Sequence, residues 1–266
     1  MPTSALQVAR TGLEAQDARM RVIANNLANV GTTGFKRDRA NFATLAYQDA
    51  RVAGQRSSGE TAYATGLNLG TGVAVQSTSQ IMTQGALSTT GNGFDLALDG
   101  DGYFQIEMPG GRTAYTRAGD FTLSAEGQLV TQQGYAVQPA ITVPEGSTAI
   151  SVSPDGIVSA TLAGEGEPVE LGQIQVARFT NPAGLQAIGD NFLVETGASG
   201  AAELGPGGEA GRGNIRQGML EGSNVQPILE MAKMIEISRT YDSVRKFIER
   251  EDERMRSMIK GMGQTA

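Results

Sequence analysis

Two heptad rows, one at each end of the chain, limit the fold more than any other feature. At the start, Leu6, Leu13, Met20 and Leu27 recur every seven residues, and Ala9, Gln16, Ile23 and Val30 form the interleaved row. At the finish, Met234, Tyr241, Ile248, Met255 and Met262 make one row, and Ile237, Val244, Glu251 and Met258 the other. Each is an a/d seam with one polar member, the pattern of a helix that buries a narrow stripe against another helix. A buried Leu or Ile contributes about 1.5–3 kcal/mol only when something covers it. Neither helix is stable alone, so the two ends are expected to pair. Ser4 is placed to cap the first helix and Gly31 to end it, with Thr32, Thr33 and Gly34 beyond. The second is expected from Pro227 to Lys260, roughly 50 Å at about 1.5 Å per residue.

Between the helices the period changes from about seven to two. Leu96–Leu98 runs through Asp99-Gly-Asp-Gly102 into Tyr103–Ile106, and Phe121–Leu123 through Ser124–Gly127 into Gln128–Thr131. Ile150–Ser153 precedes Pro154-Asp-Gly156 and Ile157–Ser159. Alternating runs separated by Asp-Gly or Glu-Gly read as hairpins, and Glu170–Val176 is a further strand. Ser199–Gly213, rich in Gly, Ala and Glu, reads as a mobile loop. Residues 46–69 show no sustained period, with Tyr47, Tyr63, Leu67 and Leu69 as isolated apolar groups. So long an irregular stretch is uncommon unless functional or disordered. The expected class is α+β: N- and C-terminal helices paired as a coiled-coil-like αα unit, with a mainly antiparallel β central domain. The expected divisions are a helix over 1–33, an extended linker over 34–84, a β-rich domain over 85–222 and a helix over 223–266.

Composition narrows the chemistry. The 266 residues include no Cys, His or Trp. That leaves no Ser-His-Asp triad, thiol nucleophile, disulfide or nitrogen- and sulfur-ligated zinc. The net charge of −7 argues against a nucleic-acid backbone as partner. Charge is uneven: residues 1–40 and 228–266 hold 14 Lys/Arg against 10 Asp/Glu, whereas 41–227 hold 7 against 18. Asp95, Asp99 and Asp101 lack the EF-hand spacing and its closing Glu, and the glycines form no nucleotide-binding fingerprint. No catalytic, cofactor-binding or metal-binding residue is expected, although a carboxylate pair for glycan hydrolysis stays open as the rival reading. No run approaches the roughly 20 apolar residues of a membrane helix, so no membrane insertion is expected. Met1–Gly12 does not read as a secretory signal.

Several segments carry a more specific pattern. Arg10–Gln16, Val22-Ile-Ala-Asn-Asn-Leu-Ala-Asn-Val30 and Thr33-Gly-Phe-Lys-Arg37 resemble the flagellar rod and hook family of axial proteins. So do Gly85–Leu87, Leu98–Phe104, Tyr115–Phe121, Gly127–Val130, Gly218 and Glu221-Gly-Ser-Asn-Val225. Within the family, the modest length, Tyr135–Pro144 and the long stretch Phe35–Gly72 are similar to the distal-rod branch, with the proximal-rod branch as nearest alternative. Residues 250–266 run a few positions past the family's usual end.

The resemblance implies a non-enzymatic subunit without cofactors, exported unfolded through the flagellar export apparatus with no cleaved signal. It implies a rigid helical homopolymer crossing the periplasm, a drive shaft around the export channel. Its helices would form the inner layer and its β domain the wall. Implied partners are further copies, proximal rod proteins below, the hook protein above, and the L and P bushing rings. Assembly contacts are expected at Leu6, Leu13, Met20, Ile23, Leu27 and Val30, at the amides of Asn25, Asn26 and Asn29, and at Phe35. Tyr47, Tyr63 and Leu67 are expected to reach neighbouring subunits, and Met234, Ile237, Tyr241, Val244, Ile248 and Met255 to form the second seam. Arg112, Arg117, Arg178, Arg212 and Arg216 are the internal cations available where acidic walls meet.

Overall fold

The computed structural model describes residues 2–51, 56, 65–162 and 167–263. The chain divides into two compact units, one of residues 1–27, 38–79 and 227–266, the other of 28–37 and 80–226.

The first unit holds both long helices. Helix α1 spans Pro2–Ala28 and α2 Pro227–Gly263. Ser4 is therefore inside α1 rather than its cap. Proline suits a helix's first turn, where its missing N–H has no partner to lose. The same holds for Pro227. Helix α1 stops at Ala28, short of Val30, and the chain turns through a bond from the Thr32 N–H to the Asn29 carbonyl (3.2 Å). Gly34, with φ of 68°, is the residue in the left-handed region near this end. Along α2 the covered positions include Glu230, Met234, Ile237, Tyr241, Val244, Ile248, Glu251 and Met255, a row spaced alternately by four and three, with Lys233 half-buried beside it. The row fails at Met258, which is 48 % exposed. Met262 falls where side chains lie outside the described residues. On α1, Ile23 is buried and Leu6, Leu13, Met20 and Leu27 are half-buried, whereas Val30 is exposed.

The stretch expected to be irregular is partly ordered as strands. β1 (Asp38–Thr44) pairs with β4 (Val73–Gln80), and β2 (Tyr47–Arg51) pairs antiparallel with β3 (Leu67–Gly70). Tyr63 lies outside the described residues. No period of two marks β3, because all four of its residues are exposed and no alternation was required there.

The second unit is antiparallel β. Its first strands are β5 (Leu87–Thr89), β6 (Leu96–Asp99), β7 (Tyr103–Met108), β8 (Arg112–Thr116), β9 (Thr122–Leu123), β10 (Leu129–Val130) and β11 (Val137–Gln138). There follow β12 (Ser147–Val152), β13 (Ile157–Leu162), β14 (Val169–Gln173), β15 (Val176–Arg178), β16 (Gln186–Gly189) and β17 (Phe192–Val194). The last are β18 (Glu203–Gly205), β19 (Asn214–Gln217) and β20 (Met219–Glu221). The largest sheet runs β16-β17-β8-β7-β15-β18, with β11 also on β7, while β12-β13-β14 form a meander and β6, β5 and β9 pair with β19, β20 and β10. Phe104, Phe121, Leu96, Leu98, Ile106, Ile174 and Ile215 fill the main core, with Phe104 edge-on to Phe121 at 5.2 Å. On the other face of β7, Tyr103 joins Tyr115 and Phe179. That alternation of neighbours is the period of two at work.

The hairpins expected at 121–131 and 150–159 are present, as Leu123↔Leu129 and Val152↔Val158. The one expected at 96–106 is not: β6 pairs with β19 and β7 with β8. Leu96, Ala97 and Leu98 are all buried, so β6 is covered on both faces and needs a partner from far along the chain. Glu170–Val176 breaks into β14 and β15 around Ile174. The expected loop 199–213 contains β18 and is tied down by the Gly207 N–H to the Asp155 carbonyl (3.1 Å) and the Gly213 N–H to the Asp101 carbonyl (2.6 Å).

Asp120 gives a pH signature. Burial, with the Asp95 carboxylate adding to it, raises its carboxyl above the usual 3.8. Between 3.8 and the folded value the folded chain holds more protons than the unfolded one, so this group's contribution worsens as pH rises through that window. Asp120→Asn should therefore raise the melting temperature at pH 7. The gain should shrink toward pH 4; a gain constant from pH 7 to 4 in thermal melts would contradict it.

Candidate assembly site and its buried charge node

Three segments far apart in sequence meet inside the β unit. Glu221, at the end of β20, is fully buried. One carboxylate oxygen accepts from the Lys36 ammonium (2.5 Å) and from the Gly85 N–H (2.8 Å); the other accepts from the Arg117 guanidinium (3.2 Å). Its carbonyl accepts from the Gly34 N–H at 2.7 Å. Lys36 also donates to the Thr83 carbonyl (2.9 Å) and Arg117 to the Gly100 carbonyl (2.8 Å), and Arg117 lies over the Tyr103 ring. Two cations and one carboxylate are thus enclosed together. Burial pushes the Lys36 ammonium below its ordinary 10.5, against the pull of Glu221, and pushes the Tyr103 hydroxyl up to about 12.

Close backbone approach makes this geometry possible. A Cβ on Gly34 would lie 2.6 Å from the Ala118 nitrogen, in a backbone conformation that already disfavours side chains. A Cβ on Gly85 would overlap the Gly222 carbonyl. Asn224 completes the tie: it accepts from the Arg37 N–H (2.8 Å) and donates to the carbonyls of Ile81 (2.7 Å) and Thr83 (2.9 Å).

In the helical unit, Asn26 does the same for β1. Its amide accepts from the Asp38 N–H (2.8 Å) and donates to the Asp38 carbonyl (2.9 Å), and the side chain is 1 % exposed. Its amide is used within its own chain. Asn25 reaches the Asp38 carboxylate, and Asn29 accepts from the Thr32 hydroxyl. Phe35 and Ile237 are buried, whereas Tyr47 and Leu67 are 62 % and 44 % exposed. Arg117 is enclosed and Arg216 pairs with Asp99 (3.1 Å), while Arg178 and Arg212 each donate to a backbone carbonyl. Of the five internal cations, Arg117 is therefore unavailable for contacts between walls.

Spacing hid the charge node. Lys36 and Glu221 are 185 residues apart, and Arg117 and Glu221 104. The one local cue is that each sits in a glycine-containing motif. A second feature was in reach: Ile228, Met231 and Ile235 recur at helical spacing and are exposed on α2.

Residues 6–36 match the model for flagella basal body rod proteins, 97–160 the D1 domain of flagellar hook protein FlgE/F/G, and 216–260 the C-terminal region of flagellar basal body rod FlgEFG proteins. Flagellar basal-body rod protein FlgG of Buchnera aphidicola subsp. Acyrthosiphon pisum is 44 % identical over 95 % of this chain and 97 % of its own. The chain belongs to the flagellar basal-body rod protein family. FlgG of Caulobacter vibrioides is also 44 % identical, over 95 % of this chain and 97 % of its own. FlgF of the same organism is 34 % identical over 91 % of each. The rod protein is accordingly a structural, non-enzymatic component of the flagellar basal body that serves motility and assembles with other basal-body proteins. Among the described residues no helix is long and apolar enough to cross a membrane.

Proposed function

We propose that this rod protein is a distal-rod subunit whose copies build a rigid helical tube around the export channel and carry torque from motor to hook. The observation that carries the reading is near-full-length likeness to FlgG proteins at 44 % identity, against 34 % for a FlgF. In this reading α1 and α2 pair as a coiled coil, which their covered heptad rows support. Copies meet through heterologous contacts that do not close and so generate an open array. The subunit is exported unfolded without a cleaved signal and crosses the periplasm. It joins proximal rod proteins, the hook protein and the L and P ring proteins. Expression in cells lacking the distal or the proximal rod subunit tests this: motility should return only in the first, and return only in the second would assign it to the proximal rod.

Residues 46–69 give the tube its straightness in this reading. Tyr47 offers an exposed apolar group, and its strand β2 holds β3, which carries the exposed Leu67 and Leu69; together they would bridge stacked copies and remove the sliding that bending needs. Deleting 46–65 should leave a polymer, because the helical seams remain, but a curved one. Electron micrographs showing deletion tubes as straight as the parent would defeat this.

A further inference from the structure

Of the chain's asparagines, Asn92 alone is followed by glycine. The pair sits in the turn between β5 and β6, and both residues are exposed. The Asp95 N–H closes the turn on the Asn92 carbonyl (3.1 Å). The Asn92 side chain is held at both of its polar atoms. Its Oδ1 accepts from the Phe94 N–H (3.3 Å), and its Nδ2 donates to the Asp95 carboxylate (3.0 Å). The first of these bonds keeps the side-chain carbonyl turned toward the main chain that follows. The Gly93 N–H makes no hydrogen bond among the described residues, and Gly93 carries no Cβ to crowd that nitrogen.

We propose that Asn92 is a site of self-modification: in the folded chain the Gly93 nitrogen attacks the Asn92 side-chain carbonyl, and the residue becomes aspartate or isoaspartate. A bond forms between Gly93 N and Asn92 Cγ, the Cγ–Nδ2 bond breaks, and ammonia leaves with the proton that Gly93 gives up. Water then opens the resulting ring at either carbonyl. One opening yields aspartate; the other reroutes the main chain through Cβ as isoaspartate. The turn favours the attack. Negative charge develops on Oδ1, where the Phe94 N–H already points. The departing nitrogen faces the Asp95 carboxylate, which can pass the proton across. The nucleophile has no bond to break first. Asn26 and Asn224, by contrast, are followed by Leu27 and Val225 and have both amide atoms engaged on backbone. The product loosens its surroundings. Either form loses the donor to Asp95, which is 7 % exposed and bridged to Asp120, and sets a new carboxylate beside it. Isoaspartate also lengthens the main chain by a methylene. The turn it lengthens is tied down by the Thr90 N–H to the Gly218 carbonyl (2.9 Å) and by Gln217 Nε2 to the Gly93 carbonyl (2.9 Å). Buried strand β6 begins just beyond, so the β unit loses stability as the chain ages.

The test is to incubate the purified full-length chain in heavy-oxygen water at mildly alkaline pH and follow it by peptide mass spectrometry. Labelling by an isoaspartyl methyltransferase reports the rearranged product. Asn92 should exchange its amide for an acid carrying a heavy oxygen, ahead of every other asparagine. Its rate in the folded chain should lie within about tenfold of its rate in concentrated urea, where no turn shields it. Asn92→Gln, whose longer side chain forms the ring far more slowly, should stay unmodified over the same time. Gly93→Ala should slow the reaction roughly tenfold; its Cβ has room, 3.5 Å from Gln217 Nε2, so circular dichroism should match the parent's. The converted parent should melt below the fresh one, and incubated Asn92→Gln should melt where it began. A folded rate more than tenfold below that in urea, equal conversion of another asparagine, indifference to Gly93→Ala, or an unchanged melting temperature in the converted chain would overturn the proposal.

Discussion

Glu221→Gln should destabilise the β unit by about 3–5 kcal/mol, the range for removing one partner of a buried ion pair. Gln keeps the shape of the side chain but removes the charge that offsets two enclosed cations. Lys36 and Arg117 are 4 % and 5 % exposed, so neither can turn to water without opening the node. Glu221 also receives the Gly85 N–H, and an amide in its place presents an oxygen to at most two of its three donors and turns its own N–H groups toward the rest. Asp99→Asn, which breaks an Arg216 pair nearly half exposed at both ends, should cost at most about 1 kcal/mol. Changing Lys36 and Arg117 to Met together with Glu221 to Leu should recover part of the loss, since a buried ionic group is often replaceable by apolar side chains of similar volume. Urea unfolding followed through the tyrosine signals of Tyr103, Tyr115 and Tyr135 measures all three. A Glu221→Gln cost no larger than that of Asp99→Asn would mean that the node is not enclosed in solution.

Ile237→Asp is expected to abolish assembly while leaving the β unit's unfolding transition where it was. Ile237 is 4 % exposed and sits in the covered row of α2. A lone carboxylate there costs several kcal/mol unless it takes up a proton or the helix leaves its place. Leu27→Asp and Ile248→Asp should act in the same direction but less, because both positions are only half-buried. Light scattering reads assembly and thermal melts read the β unit. Normal polymer from Ile237→Asp would show that the row is not a seam.

These two sites also mark how far the sequence reaches. The α2 row was legible because helical neighbours are close in sequence: a spacing of three and four residues is itself the geometry of one face. Hairpins at Leu123↔Leu129 and Val152↔Val158 were legible for the same reason, a turn of a few residues joining the strands it pairs. Where those local rules met a strand covered on both faces, as at Leu96–Leu98, or strands covered on neither, as at β3, alternation vanished and the reading failed.

Tertiary structure alone decided the node and the amide ties. Nothing local distinguishes Lys36 from an exposed lysine, or Asn26 from an amide reaching to a neighbour. Their roles exist because the backbone brings Gly34, Gly85, Arg117 and Glu221 within bonding distance across gaps of about a hundred residues and more. The sequence by itself determined two helices, an antiparallel β centre and the family. Folding decided which charges were enclosed and which apolar row of α2 was left uncovered, because burial is a property of non-local contacts and not of spacing along the chain.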